Sequence, residues 1–216
     1  MMKTKNNLLA VFALLIASCS DANNSKNFEV SLHDKPLLEV QTQPRPLPNP
    51  DKNAYFGDLH VHTENSFDAY TFGTISTPVD AYKYARGHAI QHPSGYLIQL
   101  SRPLDFYAVT DHGVFMGLMK EAADTTSEFS KYEFTKPLHN LNESGGTGFL
   151  DLIKRGGLFK PFGEKVREGV ADGTIDESLI LEVGRTVWQK TIKAADDAYV
   201  PGTFTTFAAY EYTSSL

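Results

Sequence analysis

The sequence predicts an α/β fold, and three observations carry that prediction. Three β-rich apolar runs, Ala54 to Val61, Leu104 to Thr110 and Thr203 to Tyr212, are separated by stretches with helix signals. Strand, helix, strand is a crossover unit, for which parallel pairing is the default. Each run also leads into histidines or acids: His60 and His62, Asp111 and His112, Glu211. In parallel sheets the loops at the C-terminal strand ends meet on one side, and chemistry-bearing groups collect there.

The first run, AYFGDLHV, alternates enough for a half-buried strand and puts Asp58, His60 and His62 on one face. Imidazoles two residues apart on an extended chain sit about 7 Å apart at Cα, near enough for both rings to bend onto one ion. The bland alternative is two polar positions on a wet strand face. Asp68 follows across a short polar turn, Thr63 to Ser66, and can fold back over the strand end. Thr77-Pro78-Val79-Asp80 is a helix start, with Thr as N-cap, Pro at the first helical position and an acid three beyond the cap. That helix is expected to stop before Pro93, leaving His88 and His92 near its C-terminal end, where the dipole favours positive charge. Gly95 to Leu100 reads as a short strand on an excursion. Leu104 to Thr110 has the composition of a strand buried on both faces, and it runs into Asp111-His112-Gly113. Val114 to Ala123 is the next helix, with Met116, Leu118 and Met119 in the core.

Residues 124 to 175 are expected to form an insertion of short helical pieces, such as Phe149 to Lys154, interrupted by Gly145, Gly146, Gly148, Gly156 and Gly157. It is mainly helical and suits a lid or specificity region over the sheet end; His139 within it is structural. A longer helix from Glu177 to Ala198 follows Asp176, with Leu179, Ile180, Val183, Val187 and Ile192 on one side and Trp188 packed there. Lys154, Arg155, Arg185 and Lys190 are either anion contacts or ordinary solvated charges. The last strand, Thr203 to Tyr212, ends beside Glu211.

At 216 residues, 41% hydrophobic and 21% charged, the chain is long and apolar enough for a substantial globular core. A net charge of −6 and the lack of any Lys/Arg run interleaved with aromatics disfavour nucleic-acid binding. Lys3 and Lys5 precede an apolar segment, Leu8 to Ala17, too short to span a bilayer, which is the pattern of a secretory signal. Ile16-Ala17-Ser18-Cys19 resembles a bacterial lipobox, and Cys19 is the only cysteine, so it has no disulfide partner within the chain. The expected organisation is a lipoprotein signal peptide over 1–18 and an Asn/Ser/Pro-rich tether over 19–53, with Pro44, Pro46, Pro48 and Pro50 holding it extended. A folded part follows over 54–216. The expected location is the cell envelope of a bacterium, on the periplasmic face or outer membrane, through a lipid anchor on Cys19.

Neighbouring strand residues face opposite sides, so Asp111 and His112 are not expected to ligate together. His112 is the expected ligand, and Asp111 the residue that hydrogen-bonds a ligand group and fixes its orientation.

The segments FGDLHVHTENSFDA, TPVDAYKYARG, RPLDFYAVTDHGVFMG and FAAYEYTS resemble the PHP (polymerase and histidinol phosphatase) superfamily, and more closely a large bacterial branch of it treated as a domain of unknown function. The resemblance runs from about Tyr55 to Ser214. It implies the N-terminal half of a distorted (β/α)7 barrel holding two or three divalent ions, zinc, manganese or iron. It further implies that His60 and His62 bind one ion, that Glu211 bridges it to a neighbour, and that Asp68 and His112 hold another. The family draws further His and Asp ligands from later strands, so the chain is expected to be C-terminally incomplete and, as a fragment, inactive by itself; the alternative is an incomplete, inactive site. Paired ions would lower the pKa of a bound water, and the hydroxide would attack a small anionic ester, with phosphoesterase activity the leading expectation. Hydrolysis of a sulfate ester or amide, and a surface lipoprotein that only binds metal or ligand, are the rival readings. Nothing in the sequence indicates an oligomeric state.

Overall fold

The computed structural model of the chain describes residues 47–50, 52–143 and 149–213. The expected signal peptide, Cys19 and most of the tether lie outside the described residues. In chain order the elements are β1 (Gly57–Asp58), α1 (Phe67–Thr71), α2 (Pro78–Ala85), β2 (Ile90–Gln91), β3 (Leu97–Ile98), β4 (Phe106–Val109) and α3 (Leu118–Ala123). Two 3₁₀ turns, Phe129–Lys131 and Glu133–Leu138, lead to α4 (Phe149–Asp172), α5 (Glu177–Ala198) and β5 (Thr205–Ala208). The fold is mixed α/β. Its frame is a small parallel sheet in the order β1, β4, β5, so the central strand lies between partners far away in sequence.

β1 is shorter than the predicted run because side chains take over its ladder. The His60 N–H turns back to Asp58 Oδ1 (2.9 Å), and the Val61 N–H bonds the Thr110 hydroxyl (2.8 Å) in place of a carbonyl. Asp58 thereby closes a local turn with the His60 main chain and is in neither group of clustered metal-ligand side chains. Gly57 pairs with Phe106, and a Cβ there would run into the Phe106 carbonyl and ring, so this register needs glycine.

α2 begins as predicted. Thr77 accepts from the Asp80 N–H and Asp80 accepts from the Thr77 N–H, both at 3.1 Å, a complete capping box. It ends at Arg86, well before Pro93, because Gly87 takes a positive φ of 84° and reverses the chain. The residues beyond it form an antiparallel hairpin of β2 and β3. His92 therefore stacks on Tyr96 (4.3 Å between ring centres) and is not at a helix end.

Tyr107 and Val109 of β4 pack against Ala81, Tyr82 and Ala85 of α2 and Ala194, Ala195 and Ala198 of α5. The alanines let two helices lie close over one face of the sheet. α5 has the predicted bounds and cap, with Asp176 accepting from the Ser178 N–H (2.9 Å). Its fully buried side is Thr191, Ala194, Ala195 and Ala198, further along than the sequence suggested, while Leu179, Ile180 and Val183 pack on a second core. That second core joins Phe67 and Tyr70 of α1, Leu118 and Met119 of α3, Phe129, Leu138, and Phe162 and Val166 of α4.

α4 departs most from expectation: one helix of 24 residues runs through Gly156, Gly157 and Pro161 where short pieces were predicted. Burial of Phe162 and Val166 outweighs the weak local propensity. Arg155 is buried in it and donates to the Thr71 carbonyl (3.2 Å), the Leu141 carbonyl (2.7 Å) and Asn142 Oδ1 (2.6 Å). It clamps α4 to α1 and is not free to meet a substrate; Lys154, Arg185 and Lys190 are exposed. Among the described residues no helix is long and apolar enough to cross a membrane.

Candidate metal centre

Beyond the C-terminal ends of the three parallel strands the chain delivers His60 and His62, Asp111 and His112, and Glu211. The parallel register continues past β4 and β5 as a bridge between His112 and Glu211. The Gly113 N–H donates to the Glu211 carbonyl (2.9 Å) and the Glu211 N–H to the Asp111 carbonyl (3.0 Å). These bonds hold the carboxylate of the third strand beside the imidazole of the second. Asp68 reaches the same place from the first turn of α1.

Five side chains meet there. Glu211 Oε2 lies 2.8 Å from His62 Nε2, 3.3 Å from His60 Nε2 and 3.7 Å from His112 Nδ1. Asp68 lies 3.1 Å from His62 Nδ1 through Oδ1 and 3.6 Å from His112 Nε2 through Oδ2. Two triads result, His60 with His62 and Glu211, and His62 with Asp68 and His112, each with its ligand atoms within 4.8 Å of one another. His62 belongs to both, whereas the sequence reading kept it with His60 alone. His60 is 73% exposed at its side chain and marks the open side, while His62 and His112 are 16% and 15% exposed.

Asp111 has a different task from the one expected. Its carboxylate accepts from the Thr63 N–H (2.5 Å) and the Thr63 hydroxyl (2.7 Å), fully buried. It anchors the main chain that follows His62 and does not bond any ligand side chain. Burial raises the Asp111 pKa, and the two Thr63 bonds offset part of that rise.

Three further residues complete the setting. The Ser66 hydroxyl donates to Asp68 Oδ1 (2.6 Å), accepts from the His112 N–H (3.2 Å) and lies 3.1 Å from His62 Nδ1. Phe67 stacks on the His112 ring at 4.5 Å, and Thr213 Oγ1 sits 2.8 Å from His112 Nδ1. The sequence contained a signal for the first two only in their position between His62 and Asp68; Thr213 gave none.

The electrostatics follow from these partners. His62 is raised above its ordinary 6.5, chiefly by the hydrogen bond to Asp68 and against the effect of burial. Burial alone would raise Asp68, but hydrogen bonds from His62, Ser66 and the Ala69 N–H outweigh it and bring that carboxyl well below the usual range.

His62 Nε2 and Glu211 Oε2 fit a divalent cation. Both atoms are buried and have no hydrogen-bond partner, although they stand 2.8 Å apart, because the pair lacks hydrogen-bond orientation. Two such atoms facing each other are costly unless something between them is electron-poor. A mixed imidazole and carboxylate set suits zinc, manganese or iron(II).

No curated protein and no solved structure matches the chain. The family described as protein of unknown function (DUF3604) matches residues 49–216, which include all five clustered residues, and the chain belongs to that family.

Proposed function

We propose that this chain carries ligands of a metal-dependent hydrolase, that its reaction is cleavage of a small anionic phosphoester, and that the parallel sheet is part of a PHP-type (β/α)7 barrel. The observation that carries the reading is the buried meeting of His62 Nε2 and Glu211 Oε2 without a hydrogen bond, with His60 Nε2 alongside. His60, His62 and Glu211 would hold one cation and Asp68 with His112 a second, and such ions supply the Lewis acidity and water activation that ester hydrolysis needs. The protein groups prepare that chemistry. Phe67 and Thr213 fix the His112 ring from its face and from Nδ1, which leaves Nε2 directed at Asp68. Asp111 and Thr63 hold the backbone behind His62. The exposed His60 edge is the side from which an anionic ester would enter. The reading extends to export and a lipid anchor on Cys19, which rest on the sequence of the first nineteen residues.

The test is metal uptake and turnover by the protein purified from its uninterrupted reading frame. After loading with zinc, manganese or iron(II), mass spectrometry should find at least one ion per chain, and the melting temperature should rise with metal. Nitrophenyl phosphomono- and phosphodiesters should turn over, with a loss of roughly 100-fold or more in the His60→Ala/His62→Ala double variant. Uptake without turnover of any ester would leave only a metal-binding protein. Turnover confined to sulfate esters or amides would move the activity to that bond. No uptake would end the reading.

A further inference from the structure

His62 faces both triads, yet a neutral imidazole offers one lone-pair nitrogen and one N–H. Its surroundings decide between them. Nδ1 lies 3.1 and 3.2 Å from the two oxygens of Asp68, an acceptor-only group. Nε2 faces Glu211 Oε2 with no hydrogen-bond geometry. The proton therefore belongs on Nδ1, where a carboxylate receives it, and the lone pair on Nε2. His62 can then ligate only in the triad with His60 and Glu211.

Asp68 is divided in the same way. Its Oδ1 accepts from the Ser66 hydroxyl (2.6 Å), the Ala69 N–H (2.6 Å) and His62 Nδ1 (3.1 Å), and three donors leave it no lone pair for a cation. Oδ2 also lies 3.2 Å from His62 Nδ1, but it is the oxygen that reaches His112 Nε2, at 3.6 Å.

We propose that Asp68 is the positioning residue for the ion held by His60, His62 and Glu211: without touching that ion, it fixes the His62 tautomer and ring through Oδ1, while Oδ2 serves the position shared with His112. The inference rests on the metal reading above. A carboxylate behind a ligating histidine fixes its tautomer and makes it a better donor. It also joins the two ion positions through one hydrogen bond.

Zinc titrations of the full chain, followed by the imidazole 15N resonances of His62, test this at the atom concerned. In the wild type, zinc should move the Nε2 resonance while Nδ1 keeps its proton. Asp68→Asn retains an acceptor oxygen for His62, Ser66 and Ala69, so zinc affinity read at His62 should stay within a few-fold of wild type. Asp68→Ala removes the acceptor, and that affinity should fall about 10- to 100-fold. Circular dichroism confirms that each variant is folded, and the Asn variant keeps an acceptor for the Ala69 N–H in the first turn of α1. Unchanged affinity at His62 in both variants would make Asp68 a ligand of the second position only and overturn the inference. Equal loss in both with the Nδ1 proton of His62 retained would make it a direct ligand of the first ion and overturn it as well; loss in the Asn variant accompanied by loss of that proton would support it. Absence of zinc binding in the wild type would remove the metal reading itself, an outcome distinct from these two.

Discussion

At the scale of single residues, Ser66 and Asp68 show how a site is set by groups that a ligand search passes over. Ser66 has no metal-binding chemistry of its own, yet its buried hydroxyl ties Asp68 to the His112 main chain. The His62–Asp68 pair also has a pH signature in the metal-free chain. His62 is raised, so its contribution to stability is complete below 6.5, the ordinary value, and is lost as pH rises through the higher folded value. Asp68 is lowered, so its contribution is present above 3.8 and is lost as pH falls toward the depressed folded value. The melting-temperature difference between wild type and Asp68→Ala in chelator should therefore be largest between pH 3.8 and 6.5 and shrink on both sides. Calorimetry across that range measures it; a difference that keeps growing above pH 8 would contradict the coupling.

At the scale of elements, α4 and α5 differ in what decides them. α5 carries an Asp cap and a long amphipathic pattern, both visible locally. α4 contains Gly156, Gly157, Pro161, Gly163 and Gly169, and it is helical because its buried side chains hold it against α1 and the Glu133–Leu138 turn. Its glycines are consequently unequal. Gly157 is exposed with no atom within 4 Å of an added Cβ, so Gly157→Ala should stabilise the protein by about 0.5–1 kcal/mol in urea unfolding. A Cβ on Gly169 would lie 2.5 Å from the side chain of buried Ile175, so Gly169→Ala should cost about 1–3 kcal/mol. If both substitutions stabilised, the packing of Ile175 against α4 would be wrong.

At the scale of the folded region, helices α2 and α5 cover the sheet face that carries Tyr107, Val109 and Thr206, and Thr206 donates to the Ala195 carbonyl (2.8 Å). Phe207 pairs with Ala108 and so lies on the opposite face, 46% exposed. Its neighbour on that face, Ala108, is buried, so Phe207 is a single exposed apolar side chain beside a covered position. Phe207→Ser should therefore change stability by no more than about 0.5 kcal/mol in urea unfolding. A loss of about 2 kcal/mol or more would count against that placement.

The alternation of apolar runs, the Thr77 and Asp176 caps and the placing of histidines and acids after each β-rich run were readable in sequence, because each depends on neighbours within a few residues. From them come the order of the three sheet strands and of α2, α3 and α5, and the grouping of His60, His62, Asp68, His112 and Glu211, whereas α1 and β2 were not expected. Tertiary structure alone decided that α4 is continuous, that Arg155 is a buried clamp, that Asp111 holds Thr63, and which oxygen of Asp68 faces which histidine. Those outcomes depend on partners up to 84 positions away, as with Arg155 and Thr71. They turn on side-chain directions that no local pattern encodes, since a hydrogen bond is chosen by the geometry of the packed chain and not by the spacing of its donors and acceptors.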